Sequence, residues 1–328
     1  MKYIDWHCDT LMQAYQSGKE DIYELPGMLD LKRLNTAGAV AQVFAIFMPP
    51  LDAATKKPQY PGFPPEYDDA LYLDFCFTLY DTMLKTHADI LGAELATEKA
   101  GKLTALLSLE DGRPLDGKLN NLERYYKKGI RLITLTWNGE NCLGAPNSFN
   151  TEEMKRGLTP FGKETAARMN ELGMIVDASH LSDGGFWDLC SLYDAAGNSK
   201  KPFIASHSNC RALAPHPRNL SDAMINALAS RGGLVGLNFC PAYLNGDIRA
   251  TTSTLSRILA HAKHLRRKGG IDCIALGSDF DGIEGDLEIG GVESLHLLFE
   301  QFATDGFSVD EIEKIAYKNS LRFLKDVL

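Results

Sequence analysis

Short apolar runs alternate along this chain with longer stretches whose apolar residues recur at helical spacing. In order the runs are YIDWHC (3–8), AVAQVFAIFM (39–48), LTALLSLE (103–110), IRLITLTW (130–137), MIVDASH (174–180), PFIASH (202–207), GLVGLNF (233–239) and CIALGSDF (273–280). Between them, segments such as LTPFGKETAARMNELG and SDAMINALASRGG have the helical period, with glycines placed as C-caps. Strand alternating with helix predicts a parallel sheet, and eight such units predict a closed (β/α)8, TIM-like barrel. A strand count alone leaves the open doubly wound sheet as an alternative.

The regular alternation breaks after the second run. PPLDAATKKPQYPGFPPEYDDA is proline-rich and reads as a loop, and LYLDFCFTLYDTMLKTHADIL reads as a long helix. No second hydrophobic core is in view, so this loop-helix segment is expected to elaborate the barrel mouth, with residues 1–328 forming one domain. The tail VDEIEKIAYKNSLRFLKDVL reads as a closing amphipathic helix.

Composition narrows the class. With 45% hydrophobic and 23% charged residues the chain has the balance of a soluble globular protein. A net charge of −9 argues against nucleic acid or an anionic membrane as general partner. The seven cysteines are scattered without a C-x-x-C pair, which suits a reducing compartment. No charged leader precedes an apolar run, and the most apolar stretch, at 39–51, is too short to span a bilayer and breaks at Pro49-Pro50. A cytoplasmic location is the simplest expectation.

The candidate chemistry collects at strand ends. His7 and Asp9, Glu110, His180, His207 and Asp279 all fall at or just past the C-terminal ends of predicted strands, which in a barrel converge on one mouth. Alternation puts Met174, Val176, Ala178 and His180 on one face, and likewise Phe203, Ala205 and His207. Singly, each histidine reads as an ordinary strand-end residue, and Glu110 or Asp279 as a helix N-cap; together they read as a metal site. Three imidazoles with carboxylates suit Zn²⁺ or a similar first-row ion, not Ca²⁺ or Mg²⁺ alone. The donors outnumber the needs of one four-coordinate ion, so a carboxylate such as Glu110 could bridge two. Two ions about 3.5–4 Å apart would hold a hydroxide between them and polarise a carbonyl, which points to hydrolysis.

The ordered motifs DWHCDTL, SLEDG, LITLTWN, IVDASHLSD, FIASHSNCRALAPHPRNLSD and ALGSDFDG cover nearly the whole chain. In these the chain resembles the membrane (renal) dipeptidase family of zinc metallopeptidases, whose members have an amidohydrolase-like barrel. The resemblance implies two zinc ions per chain, one on His7, Asp9 and Glu110 and the other on Glu110, His180 and His207. By the same likeness Asp279 is the catalytic aspartate, and Arg218 of HPRN holds the substrate's carboxylate. One departure stands out: where family members have a substrate-contacting histidine after TLT, this chain has Trp137. An indole donates one hydrogen bond but neither accepts one nor carries a proton, so Trp137 is read as a wall of the substrate pocket. Asn138 and Asn141 are the nearby polar candidates.

The expectation is therefore a binuclear zinc dipeptidase acting on free dipeptides, with no nucleic acid or membrane partner and a homodimer left open. The rivals are a related amidohydrolase acting on N-acyl amino acids or lactones, and a catalytically silent metal-binding protein. Completeness of the ligand set argues against the second rival. His87, His261, His264 and His296 lie in helical patterns and are expected to face solvent, with no carboxylate near the 261/264 pair. Cys8 is expected in the core and Asp281 and Gly282 in the turn after the last strand, while His216, in the arginine loop, could touch substrate but is not assigned to the site.

Overall fold

Eight strands form the frame of the computed structural model, which describes residues 1–94, 101–195 and 202–328. They are β1 (Tyr3–Cys8), β2 (Ala39–Phe47), β3 (Leu103–Glu110), β4 (Ile130–Thr134), β5 (Ile175–Asp177), β6 (Ile204–Ala205), β7 (Leu234–Leu237) and β8 (Ile274–Leu276). Each pairs in parallel with the next, and β8 pairs with β1, so the sheet closes. This is the (β/α)8 barrel, and the doubly wound alternative is discarded. A two-residue strand, Leu91–Gly92, adds to the start of β3.

The two faces of these strands bury different partners. Ile4, Trp6, Ala41, Val43, Leu106, Leu132, Ile175, Ile204, Leu234 and Ala275 form one cluster to which every strand contributes, so it is the barrel interior. Phe44, Leu107, Ile133, Val176, Ala205 and Val235 belong to a second cluster, shared with helix residues such as Leu122, Met169, Ile225 and Ile258. Burial on both faces explains why the runs are almost continuously apolar.

The last helix, Asn319–Val327, sends Phe323, Leu324 and Val327 into the interior cluster. Trp6 donates to Ser320 Oγ at 2.8 Å, and Asn319 Nδ2 donates to the carbonyls of Ile271 and Ile274 at the start of β8. This helix therefore plugs the end of the barrel where the strands begin, leaving the opposite end as the open mouth. The expected single closing helix is in fact Val309–Glu313, a π-turn at Lys314–Lys318 and then Asn319–Val327.

Five strands stop at least two residues before the end of their apolar runs: β4 at Thr134, β5 at Asp177, β6 at Ala205, β7 at Leu237 and β8 at Leu276. Strand alternation therefore does not carry His180 and His207 to the mouth. Met174, Val176 and Ala178, like Phe203 and Ala205, pack outward against the helices, while Ile175 and Ile204 point inward. Both histidines lie past the strand ends, where side-chain alternation no longer applies. After β2, the expected long helix runs Asp69–Thr86, with Asp68 as its N-cap accepting from Ala70 N and Leu71 N. No helix among the described residues is long and apolar enough to cross a membrane.

Candidate metal centre

His7 owes its position to an irregularity in β1. Asp5 pairs with Gln42 and Cys8 with Phe44, so three steps on β1 match two on β2, a β-bulge that re-aims the residue it carries. Cys8 turns to the outer cluster and donates to Val43 O at 3.3 Å. Asp9 lies just past the strand, its carboxylate against the turn after β8, where a Cβ on Gly282 would come within 2.0 Å of Asp9 Oδ2. Only glycine leaves that space. In the same turn Asp281 accepts from Thr10 Oγ1 and Met28 N, both at 2.7 Å, as the turn role of Asp281 and Gly282 requires.

Glu110 is the last residue of β3 and its two oxygens face two different donor sets. Oε2 lies 3.5 Å from His7 Nε2, which is itself 3.4 Å from Asp9 Oδ2. Oε1 lies 3.2 Å from His180 Nε2 and 3.3 Å from His207 Nε2, and those two nitrogens are 3.2 Å apart. Two donors sharing a tetrahedral ion at the usual bond lengths of 2.0–2.1 Å stand about 3.3 Å apart. Asp279 joins at the side, its Oδ1 3.7 Å from His7 Nε2 and its Oδ2 accepting from Asn238 Nδ2 at 2.9 Å.

The donors fit cations on electrostatic grounds as well. Both ring nitrogens of His7 and Oδ1 of Asp9 are buried without a hydrogen-bond partner. Burial, then the positive charge of Arg218 and His7, hold His180 well below the usual imidazole range; burial and the same two groups do so for His207. Both are thus neutral, the form that ligates. Burial pushes Glu110 up to about 7 and raises Asp279. Burial opposes charge on His7 too, but Glu110 and Asp9 outweigh it and raise its pKa well above normal. The three buried carboxylates outnumber the positive groups near them, His7 and Arg218, a deficit that divalent ions would offset.

Behind the donors stands a layer that the sequence patterns did not reveal. His207 Nδ1 pairs with Ser206 Oγ at 2.7 Å, and Ser206 Oγ donates to Asp177 Oδ2 at 2.5 Å. Asp177 also accepts from Thr134 Oγ1 and from the amides of Ser179 and Ser206. Asp5 repeats the device: it accepts from Ser278 N at 2.9 Å and Ser278 Oγ at 2.5 Å, immediately before Asp279. The available signal was an acidic residue inside an apolar strand, in YIDWHC and again in MIVDASH. Asn138 accepts from His180 Nδ1 at 3.0 Å, which leaves Nε2 free to face Glu110.

Arg218 is buried, donating from Nη1 to Ser208 Oγ at 2.6 Å and from Nη2 to His207 O at 2.7 Å, while its Nε has no partner. Trp137 is half-buried, edge-on to Phe47 at 5.0 Å and 6.0 Å from the His180 ring. Asn141 instead braces Asp111 and the Leu135 carbonyl. His296 is exposed as expected, but His87 is half-buried against Asp21 and Tyr23. His261 and His264 are buried, a correction: His261 bridges Cys210 N and Leu244 O, and His264 sits 2.6 Å from the Asp222 carboxylate. Their helix packs against its neighbours through the face that carries them.

Residues 1–328 match the family described as membrane dipeptidase, Peptidase family M19. An uncharacterized protein in the pqqA 5′ region of Klebsiella pneumoniae is 35% identical over 240 residues, covering 72% of this chain and 86% of that one. Dipeptidase tcpJ of Claviceps purpurea is 30% identical over 230 residues, which is 70% of this chain but 52% of tcpJ. Among solved structures, the M19 metallopeptidase dipeptidase AC is 25% identical with a TM-score of 0.83, covering 100% of this chain and 98% of that one. A metallopeptidase of Rhodobacter sphaeroides liganded with a phosphinate mimic of L-Ala-D-Ala shares the fold, with a TM-score of 0.83 at 24% identity over 100% and 99% of the two chains.

Proposed function

This chain belongs to the membrane dipeptidase family, Peptidase family M19, and from that premise we propose how its mouth residues divide the work of metal-dependent dipeptide hydrolysis. The observation that carries the reading is Glu110, whose two oxygens face separate donor sets. His7, Asp9 and Glu110 would hold one zinc ion, and Glu110, His180 and His207 the second. When bound, the ions supply Lewis acidity toward a carbonyl and acidify a water molecule.

The protein's own groups do the rest. Asn138 and Ser206 fix the tautomers of His180 and His207, so that Nε2 of each is the free donor. Arg218 retains three N–H groups beyond the two it spends on Ser208 and His207, enough to receive a substrate's C-terminal carboxylate in a forked pair. Asp279, steadied at Oδ2 by Asn238, keeps Oδ1 on the side of His7 and Glu110. It takes the proton released as water adds to the peptide carbon and returns it to the departing nitrogen. Trp137 cannot take part in proton transfer and serves as wall.

The test is turnover of a free dipeptide beside its N-acetylated form, together with the metal content of zinc-saturated protein. Cleavage of the free dipeptide with about two equivalents of zinc supports the reading. Preference for the N-acetylated compound would assign the site to the deacylase rival instead. Saturation at one equivalent would overturn the shared role of Glu110.

A further inference from the structure

The residue that departs from the family pattern belongs to an aromatic wall. Phe47 closes β2, and its ring lies 5.0 Å from that of Trp137 and 4.8 Å from that of Tyr60. Tyr60 is 6.1 Å from Trp137 and 6.2 Å from Phe63, so the proline-rich loop after β2 folds its aromatic residues back over the mouth. Trp137, Tyr60 and Phe63 are all half-buried, whereas Phe47 is buried. The Tyr60 phenol is held protonated by burial and by the charges of Asp9, Asp279 and Glu110, which places it within electrostatic reach of the centre.

Topology says which part of a substrate meets this wall. The wall occupies the rim from β2 to β4, behind Glu110 on β3. Arg218 lies on the loop after β6, with its guanidinium 5.5 Å over the ring of Tyr243, which follows β7. In a closed eight-stranded barrel β3 and β7 are opposite each other. A dipeptide whose carboxylate is held at Arg218 and whose peptide bond lies over Glu110 must extend its N-terminal residue toward β2–β4. Resting on the dipeptidase reading above, we propose that Phe47, Tyr60 and Trp137 form the pocket for the side chain of the substrate's N-terminal residue and select a large apolar one. Rings stacked edge-on offer apolar contact and no charge partner, so glycine leaves the pocket unfilled and an acidic side chain is desolvated without compensation.

Two dipeptide series test this on the zinc-loaded protein, X-Ala and Ala-X, with X being Gly, Leu, Phe or Asp. The wild type should cleave Phe-Ala and Leu-Ala with kcat/KM about 10-fold or more above Gly-Ala and Asp-Ala, mainly through KM, the scale expected of an apolar side-chain pocket. Trp137→Ala and Tyr60→Ala should each shrink the Phe-Ala to Gly-Ala ratio several-fold, whereas Tyr60→Phe should keep it. Calorimetric Kd values for phosphinate analogues of Phe-Ala and Gly-Ala should move in parallel, since the pocket acts in binding. A flat X-Ala series beside a selective Ala-X series would put the wall at the other end of the substrate and overturn the proposal. A ratio unmoved by both alanine variants would overturn it as well. A wild type that cleaves neither series refutes the dipeptidase reading, and the pocket assignment with it.

Discussion

Asp177→Asn tests whether the buried layer behind the donors holds the centre together. The carboxylate of Asp177 is fully buried and accepts four hydrogen bonds: Ser179 N at 2.9 Å, Ser206 N at 2.9 Å, Ser206 Oγ at 2.5 Å and Thr134 Oγ1 at 2.7 Å. An Asn of the same shape keeps one oxygen, which can serve the two amides, and turns an NH₂ toward the two hydroxyls. Two charge-assisted bonds of roughly 1.5–3 kcal/mol each are lost and partly replaced, leaving a cost of roughly 2–4 kcal/mol. Unfolding entropy of about 2.1 cal/mol/K per residue over a chain of this length makes that a drop of roughly 3–6 °C in Tm. Ser206 also loses the acceptor that set its hydrogen, so it no longer fixes the His207 tautomer, and zinc at His180 and His207 should weaken about 10- to 100-fold. Calorimetry of the metal-free variant reads the first effect and titration against a competing chelator the second, where one of two equivalents should become labile. Unchanged Tm and two tight equivalents would refute the argument; equal weakening of both ions would show that Asp177 does not act through His207.

Other consequences are narrower. Asp279→Asn should lower kcat about 10²-fold or more while metal content and Tm hold, because Asn is nearly isosteric but cannot carry the proton; loss of a zinc equivalent would make Asp279 a ligand. Arg218→Lys should reduce kcat/KM for free dipeptides more than for C-terminally amidated analogues, since an ammonium cannot reproduce the fork; equal losses would confine Arg218 to bracing Ser208 and the His207 carbonyl. Burial holds the His261 pKa down to about 4, and its ring is neutral, accepting from Cys210 N and donating to Leu244 O. The unfolded chain protonates near the ordinary value of about 6.5, so this group's contribution is complete above that pH and is lost as pH falls toward 4, by roughly 3 kcal/mol. His261→Gln should flatten the acid limb of metal-free stability over that window, and an identical slope in the variant would refute the assignment.

The eight apolar runs announced the barrel because each strand is buried on both faces, a condition that writes itself into consecutive residues. The ends of the strands were not legible for the same reason. Ala178 continues the apolar run of β5 although the strand stops at Asp177, because Ala178 still packs on the outer helices after the ladder has ended. Alternation carried past that point gave His180 the face of Met174 and Val176, which points away from the mouth. His180 gets there through a left-handed backbone, φ +64°, and Asp279 through φ +67°. Such a conformation in a non-glycine residue leaves no mark on hydrophobic periodicity and persists only where surrounding contacts hold it. Those contacts include the bonds that His180 O accepts from Thr136 Oγ1 and from Asn147, and the grip of Asp177 and Asp5 on Ser179, Ser206 and Ser278 beside the donors. Two acidic residues set into strands that otherwise have no use for charge were thus the visible trace of how the centre is aimed. Their meaning depended on which serine stood across the ladder, information that exists only once the barrel is closed.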